Sequence, residues 1–350
     1  MEKQDVILSN NLEESLSAAI ANVAYDRLFV LTDEITKVKC WPVVADMACM
    51  RDARQITIGA TDENKTLDSL AYVWTQLQQG GATRHSLMVC LGGGMVTDLG
   101  GFAASTFKRG IAYINVPTTL LAMVDASVGG KTGINFGGLK NEVGVFNTSR
   151  SVILDTTFLK TLDYSNLASG YAEMLKHGLI SSVENWAELL CFDLHDANLA
   201  ALGPMVAKSV AIKEHIVAED PLEHGLRKAL NLGHTVGHAF ESLAMAEGRT
   251  VLHGYAVAWG LVCELYLSAL RVGFPTDRLR QTMHFISDAY GHFDFDCKRY
   301  DRLYELMTHD KKNTAGEVNF TLLGEVGDIR INQTATRDEI MDMLDFYREN

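Results

Sequence analysis

Over roughly the first 160 residues, short apolar runs alternate with stretches of helical periodicity. Arg27–Leu31 (RLFVL), Arg54–Ile58 (RQITI), Ser86–Leu91 (SLMVCL), Ile111–Val116 (IAYINV) and Ser151–Leu154 (SVIL) read as buried strands, and Leu67–Gln79 between them as an amphipathic helix. Alternation of this kind predicts a parallel sheet with helices on its faces. After Leu162 the pattern changes. Asn166–Ile180, Ser182–Leu190, Leu199–Glu219, Leu226–Ala246, Tyr255–Leu270, Thr276–Tyr290 and Arg302–Thr308 all carry helical spacing, and only Val318–Leu323 looks strand-like. The expected architecture is an α/β Rossmann-like nucleotide-binding domain over 1–162, followed by a mainly α-helical domain over 163–350. A chain of 350 residues is long enough for its core to divide in two. The cleft between two such domains is the default ligand site.

Composition narrows the class. Hydrophobic residues make up 47% and charged residues 21%, as in ordinary globular chains. The net charge of −13 argues against nucleic acid as a partner, because phosphate backbones attract clustered Lys and Arg. It leaves room for a small anionic ligand, which responds to local charge. No run approaches the ~18 consecutive apolar residues of a membrane span, and the opening MEKQDVILSNNLEESL lacks a secretory apolar core. Six scattered cysteines without a C-x-x-C fit reduced thiols, so a cytoplasmic protein without membrane association is expected. Glycine is the uneven component. Of 29 glycines, 12 lie between Gly92 and Gly144, where usual usage would place about 4.

The glycine-rich stretch carries the first candidate chemistry. Leu91-Gly92-Gly93-Gly94 follows a strand and precedes a helical pattern over Met95–Thr106, which is the layout of a pyrophosphate site at a helix N-terminus. It is not the G-x-G-x-x-G fingerprint, and a tight turn without a ligand is the plainer alternative. Asp33 and Glu34 follow the first strand, where a carboxylate can take a ribose hydroxyl or simply cap a helix. Gly129-Gly130-Lys131-Thr132-Gly133 lacks P-loop spacing, which excludes that NTPase motif. The loop still brings Asp125, Lys131, Lys140 and Asn141 close in sequence, a set suited to an anionic, hydroxylated ligand.

The second half holds a metal-type constellation. Glu173 and Lys176 lie one helical turn apart in GYAEMLKH. His234 and His238 stand at i, i+4 in GHTVGH, and His253 precedes a later helical pattern. One carboxylate and two or three imidazoles suit an open Zn²⁺ site. Arg227, Asn231 and His234 follow at spacings of four and three, so one helical face would hold all three, with Lys213 and Glu223 on or near the same stretch.

These residues resemble a known family. GGGMVTDLGGFAASTFKRG, VPTTLLAMVDASVGGKTGIN, LKNEVGVF, ASGYAEMLKHGLI, GLRKALNLGHTVGHAFES, LHGYAVAWG and HDKKNTAGEVNF are similar, in this order, to 3-dehydroquinate synthases, over about Asp33 to Gly327. The resemblance implies conversion of 3-deoxy-D-arabino-heptulosonate 7-phosphate to 3-dehydroquinate and phosphate, a shikimate-pathway step. Bound NAD⁺ would oxidise the hydroxyl at carbon 5, phosphate would leave by elimination, the hydride would return, and an intramolecular aldol step would close the ring. Zn²⁺, or Co²⁺ on the same ligands, would be the metal.

By the same resemblance, Glu173, His234 and His253 are the metal ligands, and His238 turns from a metal candidate into a phosphate contact. Gly93, Gly94, Asp98, Thr118, Thr119, Asp125, Lys131 and Lys140 match cofactor positions, as does the stretch Phe158–Thr161. Asp33 joins them. Asp62 and Lys65, in ATDENK, stand approximately where the family carries an acidic residue and a lysine. Asp125, Lys131, Asn141, Lys176, Lys213, Arg227, Asn231 and His238 match substrate positions, together with one of Lys311 and Lys312. Arg227 would clamp a carboxylate through two hydrogen bonds. Arg109 matches an arginine that reaches the partner's phosphate site, which implies a homodimer. Other cyclases acting on glucose 6-phosphate or sedoheptulose 7-phosphate, and metal-dependent polyol dehydrogenases, are the alternatives. Glu223, Asn231, His238 and the Lys311-Lys312 pair keep the dehydroquinate synthase pattern.

Overall fold

A computed structural model describes residues 4–137, 139–308 and 318–350. The chain separates into two compact units, Met1–Asp163 and Tyr164–Asn350.

The N-terminal unit runs β1 (Asp5–Leu8), α1 (Leu12–Ala21), β2 (Leu28–Asp33), α2 (Glu34–Lys39), α3 (Trp41–Val44), β3 (Arg54–Ile58), α4 (Leu67–Gln79), β4 (Leu87–Gly92), α5 (Gly94–Thr106), β5 (Ala112–Pro117), β6 (Lys131–Phe136), β7 (Leu139–Phe146) and β8 (Ser151–Leu154). Six strands form one parallel sheet in the order β1-β8-β5-β4-β2-β3. Every residue of β2 and β4 is buried, as parallel strands covered on both faces must be. The core packs Phe29, Leu31, Met88 and Cys90 of the sheet against Leu70, Val73 and Leu77 of α4 and Leu99 and Ala103 of α5. After β2 the chain moves out to β3, then returns to lay β4 on the other side of β2. This reversal is the switch point at which open α/β sheets bind ligands, beyond the strands' carboxyl ends. Asp33 ends β2 and Gly93-Gly94 follow β4, so both stand there.

The β6–β7 hairpin, β1 and α1 were not predicted. The hairpin is antiparallel and separate from the main sheet. Its β7 strand is exposed along its whole length, so it lacks the buried apolar run that marks a core strand.

The C-terminal unit continues with α6 (Tyr164–Leu179), α7 (Val183–Leu190), α8 (Leu199–Glu219), α9 (His234–Ala246), α10 (His253–Val272), α11 (Thr276–Tyr290), α12 (Tyr300–Thr308), the antiparallel pair β9 (Asn319–Glu325) and β10 (Asp328–Thr334), and α13 (Arg337–Glu349). The expected single helix over Leu226–Ala246 is two pieces. Leu226–Asn231 is a tight 3₁₀ segment, Gly233 turns left-handed at φ 80°, and α9 starts at His234. The spacing of four and three across Arg227, Asn231 and His234 therefore does not define one α-helical face. The α10 helix is apolar and long enough to cross a bilayer by composition, against the expectation that no segment is. Yet 67% of its most apolar window is buried inside this chain, so it serves as a core helix.

Close helix contact in this unit depends on glycine. A Cβ on Gly254 of α10 would lie 1.8 Å from the Ser169 carbonyl of α6, and one on Gly260 would lie 2.0 Å from the Gly233 carbonyl. These contacts draw α6, α9 and α10 together at backbone distance. Gly260→Ala should cost about 3 kcal/mol or more, because an overpacked core must shift backbone to relieve the clash. Chemical denaturation of purified variant and parent checks it; superimposable curves would refute the close approach.

Candidate active site

In the N-terminal unit, α5 starts at the switch point with Gly93 as its cap, which supplies no side-chain acceptor. The helix start thus presents backbone N–H groups and a positive dipole end without a competing carboxylate or hydroxyl. Thr118, buried, donates its N–H to the Gly92 carbonyl at 3.0 Å. Thr119 Oγ1 accepts from Ala122 N at 3.2 Å. Asp33 Oδ1 caps α2 through Thr36 N at 2.7 Å and Thr36 Oγ1 at 3.0 Å, so the capping reading of this acid is realised in the fold.

A second cluster lies nearby in sequence only in part. Lys65 is buried, and its Nζ donates to Asp98 Oδ2 and to Asn141 Oδ1, both at 2.5 Å. Asn141 is held at a left-handed φ of 51°, and its N–H goes to Asn135 Oδ1 at 2.9 Å. Asn135 Nδ2 in turn donates to Asp62 Oδ2 at 3.2 Å, and Lys140 Nζ lies 3.5 Å from the same oxygen. The structure thus joins Asp62, Lys65, Asp98, Lys140 and Asn141 in one network, with Asn135 as a linking residue that sequence reading missed. Asp125 sits in a short π-helical turn, Ala122–Ala126, and exposed Lys131 opens β6. Phe158 is buried, and Thr161 closes its own 3₁₀ turn on the Phe158 carbonyl at 2.7 Å. Arg109 is exposed on a strained bend in which Lys108 and Arg109 both have positive φ, 50° and 70°.

In the C-terminal unit, Glu173 of α6, His234 of α9 and His253 of α10 converge. Glu173 is fully buried. Its Oε2 receives Lys176 Nζ, while Oε1 has no hydrogen bond. Facing Oε1 are His234 Nε2 at 3.3 Å and His253 Nε2 at 3.5 Å. The remaining ring nitrogens are held from behind. His234 Nδ1 lies 3.1 Å from the Leu232 carbonyl, and His253 Nδ1 lies 3.4 Å from Glu241 Oε2. Such outer partners fix which nitrogen points inward. Glu241 was missed, although its position three residues after His238 and seven after His234 puts it on their helix. The His238 ring stands 5.3 Å from that of His234 and 5.8 Å from that of His253. A donor atom from each of the three histidines fits within one metal-sized cluster. His234 and His253 therefore share two possible third donors, Glu173 and His238.

Elsewhere in this unit, buried Arg227 donates through Nη1 to the Pro221 carbonyl at 2.6 Å. Asp220 shapes its loop by accepting from the N–H groups of His224, Gly225 and Arg227 at 2.7–3.1 Å. Asn231 Nδ2 donates to Glu223 Oε1 at 3.1 Å, and Glu223 has φ 63°. Lys213, on α8, is buried. Lys311 and Lys312 lie outside the described residues.

Electrostatics favour charge separation here. Burial alone would push the Glu173 carboxyl up, but Lys176 and the two imidazoles hold it well below the usual range. Burial pushes His234 down to about 4 against the pull of Glu173. Burial also opposes charge on His253, yet the neighbouring carboxylates of Glu173 and Glu241 outweigh it and raise the imidazole to about 10.

Comparison with known proteins bears on the whole chain. Residues 55–169 match the family described as 3-dehydroquinate synthase N-terminal, and residues 170–313 match 3-dehydroquinate synthase C-terminal. A 3-dehydroquinate synthase from Parabacteroides distasonis is 55% identical over 350 residues, covering 100% of this chain and 99% of the relative. Among solved structures, 2-epi-5-epi-valiolone synthase from Streptomyces hygroscopicus subsp. jinggangensis, with NAD⁺ and Zn²⁺ bound, is similar at TM-score 0.86 and 25% identity. That match covers 100% of this chain and 98% of the other. A 2-deoxy-scyllo-inosose synthase complexed with carbaglucose-6-phosphate, NAD⁺ and Co²⁺ shares the fold at TM-score 0.86 and 24% identity, over 99% and 96%.

The raised His253 value sets the pH behaviour of the metal-free protein. A metal held by His253 would have to displace that proton, since only neutral imidazole binds a cation. Zn²⁺ affinity should therefore rise about tenfold per pH unit between pH 7 and 9. Calorimetry in buffers of different ionisation enthalpy should find about one proton released per ion bound near pH 7.5. Affinity independent of pH would contradict a protonated His253. The sign for stability is opposite. A raised folded-state value stabilises the metal-free chain below the ordinary imidazole range, and that contribution is lost as pH rises towards about 10.

Proposed function

The chain belongs to the 3-dehydroquinate synthase family, and from that premise we propose how its own residues serve the family's reaction. That reaction turns 3-deoxy-D-arabino-heptulosonate 7-phosphate into 3-dehydroquinate and phosphate, with NAD and a divalent metal, in aromatic amino acid biosynthesis. The observation that carries the assignment of residues is Glu173 Oε1, a buried oxygen without a hydrogen bond that two inward-facing imidazole nitrogens approach. One carboxylate with two imidazoles is a donor set that leaves an open position on Zn²⁺, and Co²⁺ suits the same atoms. This favours Glu173 over His238 as the third ligand and leaves His238 for substrate phosphate.

When bound, the dinucleotide takes up and returns one hydride while the cation polarises a substrate oxygen, chemistry that no side chain here supplies. Residues 1–162 form the NAD-binding domain. Gly93 and Gly94 at the start of α5 hold the pyrophosphate, and Asp33, Thr118, Thr119, Phe158 and Thr161 surround the nucleotide. The network of Asp62, Lys65, Asp98 and Lys140 holds Asn141 in its left-handed turn, with Asp125 and Lys131 beside it in sequence. Residues 163–350 form the metal- and substrate-binding domain. Arg227 grips the substrate carboxylate, and Lys176, Asn231 and His238 hold phosphate, with Lys213 and one of Lys311 and Lys312 adding positive charge. Because Lys176 also holds Glu173 Oε2, it orients the ligand carboxylate as well.

The enzyme acts as a cytoplasmic homodimer. Two features support a partner subunit: the strained, exposed bend at Lys108–Arg109 and the apolar side chains that the β6–β7 hairpin leaves exposed, among them Phe136, Leu139 and Phe146. Arg109 reaches the partner's phosphate site.

Turnover tests the reading. With the heptulosonate phosphate, catalytic NAD⁺ and Zn²⁺, phosphate should be released without net NADH. Net NADH from a polyol, or preferred turnover of sedoheptulose 7-phosphate or glucose 6-phosphate, would overturn it. His253→Ala should weaken zinc binding more than about 100-fold while NAD⁺ binding stays near the parent's; unchanged zinc content would remove His253 from the ligand set. Arg109→Ala should raise KM by roughly 10-fold or more, the cost of one charge-assisted bond. Mixed dimers of Arg109→Ala with His253→Ala should regain part of the activity, and none in verified mixed dimers would exclude a contact in trans.

A further inference from the structure

The α9 helix carries His234, His238 and Glu241, yet it begins without a cap of its own, because Gly233 offers no side chain to its first N–H groups. The acceptor comes from another helix. Glu264, three turns into α10 from His253, is fully buried. Its Oε2 accepts the Gly233 N–H at 2.7 Å, and its Oε1 accepts the Val236 N–H at 3.2 Å. Both oxygens accept. These two bonds bracket His234 in the backbone, one residue before it and two after it. One turn earlier on α10, Gly260 lets the helix approach the Gly233 carbonyl. The first turn of α9 is thus pressed and capped from α10 at once.

A buried carboxylate is a costly way to join two helices. Apolar side chains of similar volume pack as well or better, and need no compensating donors. What the carboxylate adds is direction. It fixes two N–H vectors at the left-handed turn from which His234 departs, and it complements the positive end of the α9 dipole. The position of His234 Nε2 opposite Glu173 Oε1 depends on that turn, and metal sites tolerate ligand displacements of only about 0.2 Å.

We propose that Glu264 is a positioning residue for the metal centre: it caps α9 from α10 and so sets the direction of His234. The proposal rests on the reading of Glu173, His234 and His253 as the metal ligands. Glu264→Gln keeps the shape but turns one acceptor into a donor that faces a backbone N–H.

The test measures Zn²⁺ alone, against a chelating competitor, on folded metal-free protein, together with the visible spectrum of the Co²⁺ form. Glu264→Gln should bind Zn²⁺ about 10–100-fold more weakly, the range for losing a group that orients a ligand, and its Co²⁺ bands should shift. Leu267→Ala, at a fully buried α10 residue outside the ligand set, serves as the stability control and should leave both readouts unchanged. Glu264→Asp retains charge but is too short to span both N–H groups, and should also lose affinity; it carries the same test if the glutamine variant does not fold. Affinity within twofold of the parent in both Glu264 variants overturns the positioning role. Equal losses in Leu267→Ala also overturn it, since the effect would then be general destabilisation. If the parent itself binds no Zn²⁺, the ligand assignment fails, and the proposal with it.

Discussion

The C-terminal unit is organised around one buried carboxylate. Glu173 is removed from water on a helix packed at its centre, and an isolated carboxylate in such a place would be untenable. It is tolerated because its two oxygens are treated differently. Lys176 takes Oε2 from the next turn of the same helix, and two imidazoles from two other helices face Oε1. That requirement dictates the rest. Three helices must meet closely enough for short side chains to converge, which is why α10 meets its neighbours through Gly254 and Gly260 rather than through side chains. Each imidazole must also be aimed, by a backbone carbonyl for His234 and by a carboxylate for His253.

The N-terminal unit solves a different problem with backbone. The order of strand addition in its parallel sheet reverses beside β2, so the ends of β2 and β4 open a place that needs no side-chain charge to attract an anion. The unit also buries a lysine. Lys65 is tied to Asp98 and Asn141 and holds a left-handed turn in β7. These bonds set where a polar residue stands.

How much of this could be read from sequence follows from what produces each feature. Four of the five predicted strands, β2, β4, β5 and β8, were legible because nearly all their residues are buried, which leaves apolar runs such as LMVCL, whereas β3 showed only the alternation of a partly exposed strand. The long helices of the C-terminal unit were legible for the complementary reason of periodicity. The hairpin was not, since all of β7 is exposed and its pattern is neither apolar nor alternating. The α13 helix was missed although Thr336 and Glu339 form a capping box, a local signal that was available. The break before α9 was hidden because 3₁₀ and α periodicity differ little over six residues, and only Gly233 hints at it. At the site, i, i+4 spacing found His234 and His238 but could not rank them against Glu173, which is distant in sequence. Glu264 left no trace at all, because its role is defined by bonds to backbone, and backbone carries no residue signature.

Burial then separates the candidate cations more sharply than sequence could. Among the described residues, the buried Lys and Arg side chains are Lys65, Lys176, Lys213 and Arg227. Each was singled out from the motifs, while Lys131, Lys140 and Arg109 are exposed. Burying an ammonium or guanidinium is unfavourable without an anionic or hydrogen-bonding partner, so fold stability alone would place none of them there. An acidic chain of net charge −13 could keep every cation on its surface in contact with surplus carboxylates. Three of the four lie in the unit that also buries Glu173, so buried positive charge is concentrated there against the overall field. Net charge reports on solubility and non-specific partners; the location of the few cations withdrawn from water is what reports on the ligand.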